Sequence, residues 1–165
     1  MNRRHRKANL KRNARGAFLN EFGPALYLLF IGIFFPLLDL ISLGFVYGCG
    51  FTLNYFQTCQ CASVPQSEAQ DPTGLVKYGI PQQWQLNGLG RFVPLVSDPV
   101  TSINYTDGQL ETNGVQDKNI VLSTSITSRP LICVPILPGI PGFTAAITMN
   151  FTSERPLENP DDASH

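Results

Sequence analysis

A run of 24 residues, Pro24–Tyr47, carries one formal charge, Asp39. As a helix rising ~1.5 Å per residue it would be about 36 Å long, enough to cross a bilayer core of about 30 Å with some tilt. Buried helices of soluble proteins rarely sustain more than ~14 apolar residues, so the run reads as a membrane span. Seven Lys/Arg and no acid occupy residues 1–16, and the next basic residue is Lys77. Basic residues are held on the cytoplasmic side of a span. The pattern therefore predicts a single pass, with the N-terminus in the cytoplasm and everything beyond Tyr47 outside.

Two processing patterns compete with a plain anchor. A cleaved secretory signal has an apolar region of ~7–15 residues closed by a small-residue site, and this run is longer with no A-x-A after it. "VYGC" (Val46–Cys49) offers a lipoprotein-like site, although Tyr47 is bulky for one. The alternative is thus a membrane-anchored envelope lipoprotein or adhesion module acylated at Cys49.

The formal charge is zero, but residues 48–165 hold five Lys/Arg against ten Asp/Glu. A net acidic outer part lacks the basic surface that nucleic acid requires, so no nucleic-acid partner is expected. The two histidines, His5 and His165, stand at opposite ends and on opposite predicted sides of the membrane. A histidine-based triad or metal site is not expected. Cys59 and Cys61 form a C-x-C without zinc-site spacing. Neither G-x-S-x-G nor H-E-x-x-H occurs, so the expected function is non-enzymatic, with no cofactor and no metal.

Along the chain, residues 1–16 read as a basic leader and 17–62 as the transmembrane helix with its extracytoplasmic extension. Tyr47, Phe51 and Tyr55 recur every four residues, one helix face that suits headgroup contact or core packing. Gly48 and Gly50 each cost a helix roughly 1 kcal/mol relative to Ala, so a bend is expected there. Residues 63–118, rich in Pro, Gly, Gln, Asn and Asp, read as loops with a few short strands, and the lone Trp84 as the cap of a small core. Residues 119–127 alternate Ile120, Leu122 and Ile126 with Ser123, Ser125 and Thr127. Residues 142–152 alternate Phe143, Ala145, Ile147, Met149 and Phe151 with threonines and Asn150. Period-two alternation predicts half-buried antiparallel strands. They form a hairpin over 119–156 around the proline-rich apolar loop 130–141. That loop must rest on the helix, the bilayer surface or a partner. An acidic tail, 157–165, is expected to be disordered.

Glu21 lies five residues past Gly16, just where charge gives way to apolar sequence. A basic leader, Gly16, Ala17, then Glu21–Phe22 and a hydrophobic helix resembles the type IV prepilin processing motif. The closest resemblance is to TadE-like proteins, pseudopilins of the bacterial tight-adherence (Flp-type) pilus system. Asp39 in "PLLDLISLG" fits an Asp near the far end of the family's apolar run, and "PILPGIPGFTAAITMNFTSERP" (135–156) resembles its ending, with Glu154 in the acidic place. Pro24 and Pro36 depart from the usual proline position. The resemblance implies cleavage by a prepilin peptidase between Gly16 and Ala17, and a Glu21 carboxylate that pairs with a neighbouring subunit. It also implies partners among other pilins, pseudopilins and the assembly machinery, in the cytoplasmic membrane or in the extracellular pilus. Small residues Gly23, Gly32 and Gly44, with Asp39, would serve helix packing. The expected fold is α+β and membrane-anchored: a long N-terminal transmembrane helix extending into a small antiparallel β-rich extracytoplasmic domain, pilin-like in outline.

Cysteines 49, 59, 61 and 133 all fall on the predicted outer side, where disulfides persist. On a helix Cys49 and Cys59 are about 15 Å apart, beyond the ~7 Å limit for a bridge, and Cys59 and Cys61 diverge by about 200°. Cys133 is the expected partner of one of the three, Cys59 or Cys61 in preference to Cys49.

Overall fold

The computed structural model describes residues 22–110, 116–132 and 139–158. Helix α1 runs Phe22–Ser63, 42 residues with a mean hydropathy of 2.3 in its most apolar window, about 63 Å end to end. It is long and apolar enough to cross a membrane, and 11 % of that window is buried within the chain. One turn, Phe30–Phe34, is widened to a π-helix, with the Phe35 N–H bonding Phe30 O. The cause is the next residue, Pro36, which has no N–H to give and whose ring would collide with the preceding turn. From Phe35 to Ser63 the helix is regular.

The bend expected at Gly48 and Gly50 does not occur. Gly50 instead lies under the Phe151 ring and Ile126, where an added Cβ would overlap the aromatic carbons. Its missing side chain serves close approach, which outweighs the lost helix propensity.

Beyond α1 come α2 (Gln66–Gln70), a π-helical turn at Leu75–Gly79, α3 (Ile80–Asn87) and a 3-10 turn at Leu89–Phe92. Strands β1 (Val100–Leu110), β2 (Gln116–Ser128) and β3 (Ile147–Pro156) form one antiparallel sheet in the order β1-β2-β3. The hairpin over 119–156 is therefore two-thirds of a larger sheet, and 63–118 is more structured than its composition suggests. The register sets Leu122 beside Ile103 and Ser153, and Ile126 beside Met149. Strand β3 begins at Ile147, not 142. The residues before it turn instead, with Gly139 and Gly142 at φ 81° and 85° and the Gly142 N–H bonded to Ala145 O.

One face of the sheet packs on the second half of α1, and β2 runs back along the helix. Ile120 and Leu122 pack with Cys61 and Ala62; Ile126 packs with Val46, Cys49, Leu53 and Trp84. The end of β2 thus returns the chain toward the apolar half of α1, and the Ile132 N–H donates to Asp39 Oδ1. Leu157 and Glu158, expected in a disordered tail, are held by bonds to Lys118 O and Ala62 O.

Candidate functional site

Between α1 and the sheet lies a buried polar seam. Asn54, Gln57, Thr58 and Thr124 are all wholly buried. Asn54 Nδ2 lies 3.2 Å from Leu122 O, 3.1 Å from Phe151 O and 3.2 Å from Thr124 Oγ1, and Ser153 Oγ donates to Asn54 Oδ1. Gln57 Nε2 donates to Val76 O at 2.7 Å and Thr101 Oγ1 at 2.8 Å, while Gln57 Oε1 accepts from Thr124 Oγ1 at 2.8 Å. Thr58 Oγ1 returns to Asn54 O. Each amide is satisfied at both ends, which buried polar groups require. Sliding the helix by one turn would leave several of them unpaired. The seam therefore fixes one register of helix on sheet, at the point where apolar packing alone would tolerate several.

Sequence reasoning missed this seam because the aromatic repeat pointed the other way. Tyr47, Phe51 and Tyr55 are about half exposed. Tyr47 rests against the Phe151 ring at 5.2 Å, and Arg155 lies over the Tyr55 ring at 5.0 Å. The signal was the polar set Asn54, Gln57, Thr58 and Cys61, spaced i, i+3, i+4, i+7. That is a helix face too. Trp84 does cap a core, with its indole N–H buried and unpartnered.

The first half of α1 contrasts with the second. Phe22, Tyr27, Leu28, Leu29, Ile33 and Leu37 are each half exposed or more. A Cβ added at Gly23, Gly32 or Gly44 would meet nothing within 4 Å among the described residues, which leaves open helix surface there. Asp39 differs from them. Its carboxylate is fully buried, with Oδ1 accepting the Ile132 N–H at 2.9 Å and Oδ2 without a partner among the described residues. Gly142 closes on Leu43 one turn further along. The start of the 130–141 loop is thus anchored on Asp39. Gly16, Ala17 and Glu21 lie outside the described residues, and Phe22 opens α1.

Among the described residues no disulfide forms. Cys49, Cys59 and Cys61 are free thiols, and Cys133 lies outside the described residues. Ile132, its chain neighbour, is held at Asp39, about 30 Å along the axis from Cys59 at ~1.5 Å per residue. Cys61 is buried on the sheet side, with its sulfur 4.0 Å from the Tyr105 hydroxyl. Burial pushes its thiol up, and the Tyr105 bond and the Lys77 ammonium oppose that in part. Cys49 sits in the core with Val46, Leu53 and Trp84.

Concavities open on the surface among the described residues. One of about 570 Å³ lies between α1 and α3, walled by Phe56, Ile80, Trp84 and Leu89, with no titratable side chain. A smaller one of about 140 Å³ is lined in part by Lys77, Tyr78 and Asp98. There Lys77 is committed to Gln70 O and Asp98 to Gln85. Among the described residues no group of three His, Cys, Asp or Glu could hold a metal. Comparison with protein-family models, curated proteins and solved structures found no match.

Proposed function

We propose that this chain is a non-enzymatic, pilin-like minor component in the assembly of a bacterial surface adhesion pilus, anchored by α1 in the cytoplasmic membrane with its sheet outside. The observation that carries the reading is the division of α1. Its second half is locked to the sheet by the Asn54–Gln57 seam, while its first half presents bare apolar surface with open positions at Gly23, Gly32 and Gly44. A helix so divided has one half made for this chain and one made for surroundings, lipid or neighbouring helices. The Gly16/Glu21–Phe22 spacing supplies the pilin-like part of the proposal. A carboxylate entering the hydrocarbon is disfavoured by roughly 2.5–3.5 kcal/mol on insertion scales, which favours a partner for Glu21. The lipoprotein alternative would require Cys49, buried in the intact chain, to become the new N-terminus.

The test is the mature N-terminus and the company the chain keeps. Mass spectrometry should find Ala17 as the first residue in cells with an active prepilin peptidase; an intact Met1 overturns the processing step. Glu21→Ala should leave membrane insertion intact while pilin-like partners no longer co-purify. Partner recovery at wild-type level would reduce Glu21 to a flanking charge.

A further inference from the structure

We infer that the membrane-proximal rim of the sheet domain, Phe92, Leu131 and Ile140 with Arg91 and Arg129, is a lipid-binding surface that seats the domain on an anionic bilayer leaflet. The inference rests on the anchored reading above and adds to it a specific contact and a lipid class.

Chain direction places these residues together. β2 descends α1 from Cys61 toward Val46, so its end at Ser128 lies toward the apolar half of the helix. Leu95 pairs with Ser128, and the Arg129 N–H bonds Pro94 O, which brings Arg91–Pro94 to the same end. Val93 joins the core cluster that contains Val46. Ile132 is tied to Asp39, and Gly142 to Leu43. The tips that emerge around the helix are apolar: Phe92 is 68 % exposed, Leu131 59 % and Ile140 42 %.

The membrane level meets this rim. Phe22–Leu38 is free of charge and, at ~1.5 Å per residue, spans about 25 Å, most of a bilayer core of about 30 Å. Asp39, the next residue, is fully buried, with the Ile132 N–H on its Oδ1. The exposed rim is therefore continuous with the apolar surface of the span. Aqueous exposure of three large apolar tips would be costly, whereas the interface accepts apolar side chains backed by basic ones.

Charge selects the lipid. Arg91 and Arg129 are exposed and have no ion pair among the described residues. Three acids lie at the other end: Glu158 bonds Ala62, Glu154 pairs with Val121, and Asp107 pairs with Lys118, while the Asp39 carboxylate at this end is buried beneath Ile132. Asp98, three residues beyond Leu95, is engaged by Gln85. A basic, apolar end facing a membrane suits anionic headgroups.

The experiment places the full chain in vesicles of phosphatidylglycerol and phosphatidylcholine with brominated acyl chains, which quench tryptophan on contact. Phe92→Trp and Leu131→Trp are compared with wild type, whose only tryptophan is the buried Trp84, and with Thr106→Trp at the far end of the sheet. Added quenching at Phe92→Trp and Leu131→Trp of at least twofold over Thr106→Trp is expected. It should weaken in pure phosphatidylcholine and lose that lipid dependence in an Arg91→Gln/Arg129→Gln background. If the chain floats with the vesicles but the rim tryptophans are quenched no more than Thr106→Trp, the rim inference is overturned and anchoring stands. If the chain does not float, anchoring itself has failed. Self-association abolished by Leu131→Asp, with no quenching, would assign the rim to a second copy and also overturn it.

Discussion

Gly50 of α1 and Phe151 of β3 meet with no space for a side chain between them, and Ile126 Cδ1 lies 3.0 Å from where a Cβ would stand. Phe151 is buried and backed by Tyr47, so its ring has little freedom to withdraw. Gly50→Ala would gain about 1 kcal/mol of helix propensity but lose about 1–3 kcal/mol to the displaced ring. Gly48→Ala, with nothing within 4 Å of the new methyl, keeps the gain and incurs no clash. Urea unfolding of the detergent-solubilised chain should rank Gly48→Ala above wild type and Gly50→Ala below it.

The Asn54–Gln57 seam should behave as one unit. Asn54→Leu removes bonds to two backbone carbonyls and to Thr124, and leaves Ser153 Oγ without its acceptor. Losing satisfied buried groups in this way costs about 2–4 kcal/mol. Gln57→Leu should cost a similar amount. Because both side chains bond Thr124, the double substitution should cost less than the two added together. Additive losses would mean the seam is two independent contacts.

Much of this arrangement was legible in the sequence, and the failures have physical causes. Ile120, Leu122 and Ile126 alternate with hydroxyl residues, and they do line one buried face. The span was legible because length and hydropathy decide it almost alone. β1 was hidden by its chemistry, since Ile103 and Tyr105 are nearly its only apolar inward residues among Ser102, Asn104 and Thr106. The helix extension misled because its aromatics sit outside while amides sit inside, a reversal made favourable by the carbonyls of Leu122, Phe151 and Val76 and the Thr101 hydroxyl. The expected bridge from Cys133 lies outside the described residues, and nothing in the spacing shows that its neighbour Ile132 returns to Asp39.

Thiol chemistry gives a pH-dependent check. Cys61 lies beyond the span, and its raised pKa means that folding favours the protonated thiol. Stability from that preference is complete below the unfolded thiol pKa, about 8.5, and is lost as pH rises through the higher folded value. Wild type should lose stability above about pH 9 more steeply than Cys61→Ala. Iodoacetamide at neutral pH should label half-buried Cys59 first and reach Cys61 only on unfolding, since the reactive species is an accessible thiolate. Equal labelling rates in the folded chain would contradict the burial of Cys61.

Asp39 separates charge from hydrogen bonding within the membrane-proximal end. Its Oδ1 accepts the Ile132 N–H at 2.9 Å, and its Oδ2 has no partner among the described residues. The acceptor therefore holds the loop, while the net charge contributes only cost in an apolar setting. Asp39→Asn keeps a carbonyl oxygen and removes the charge, so the Ile132 amide should remain within about threefold of its wild-type exchange rate. Asp39→Ala leaves that N–H without an acceptor. A lost bond to a charged group is worth about 1.5–3 kcal/mol, so exchange at Ile132 should rise at least about tenfold. Hydrogen-exchange mass spectrometry over residues 128–132 resolves the two cases. Indistinguishable exchange in wild type and Asp39→Ala would show that the loop is held by the bilayer or by apolar contact, with no anchoring role for the carboxylate.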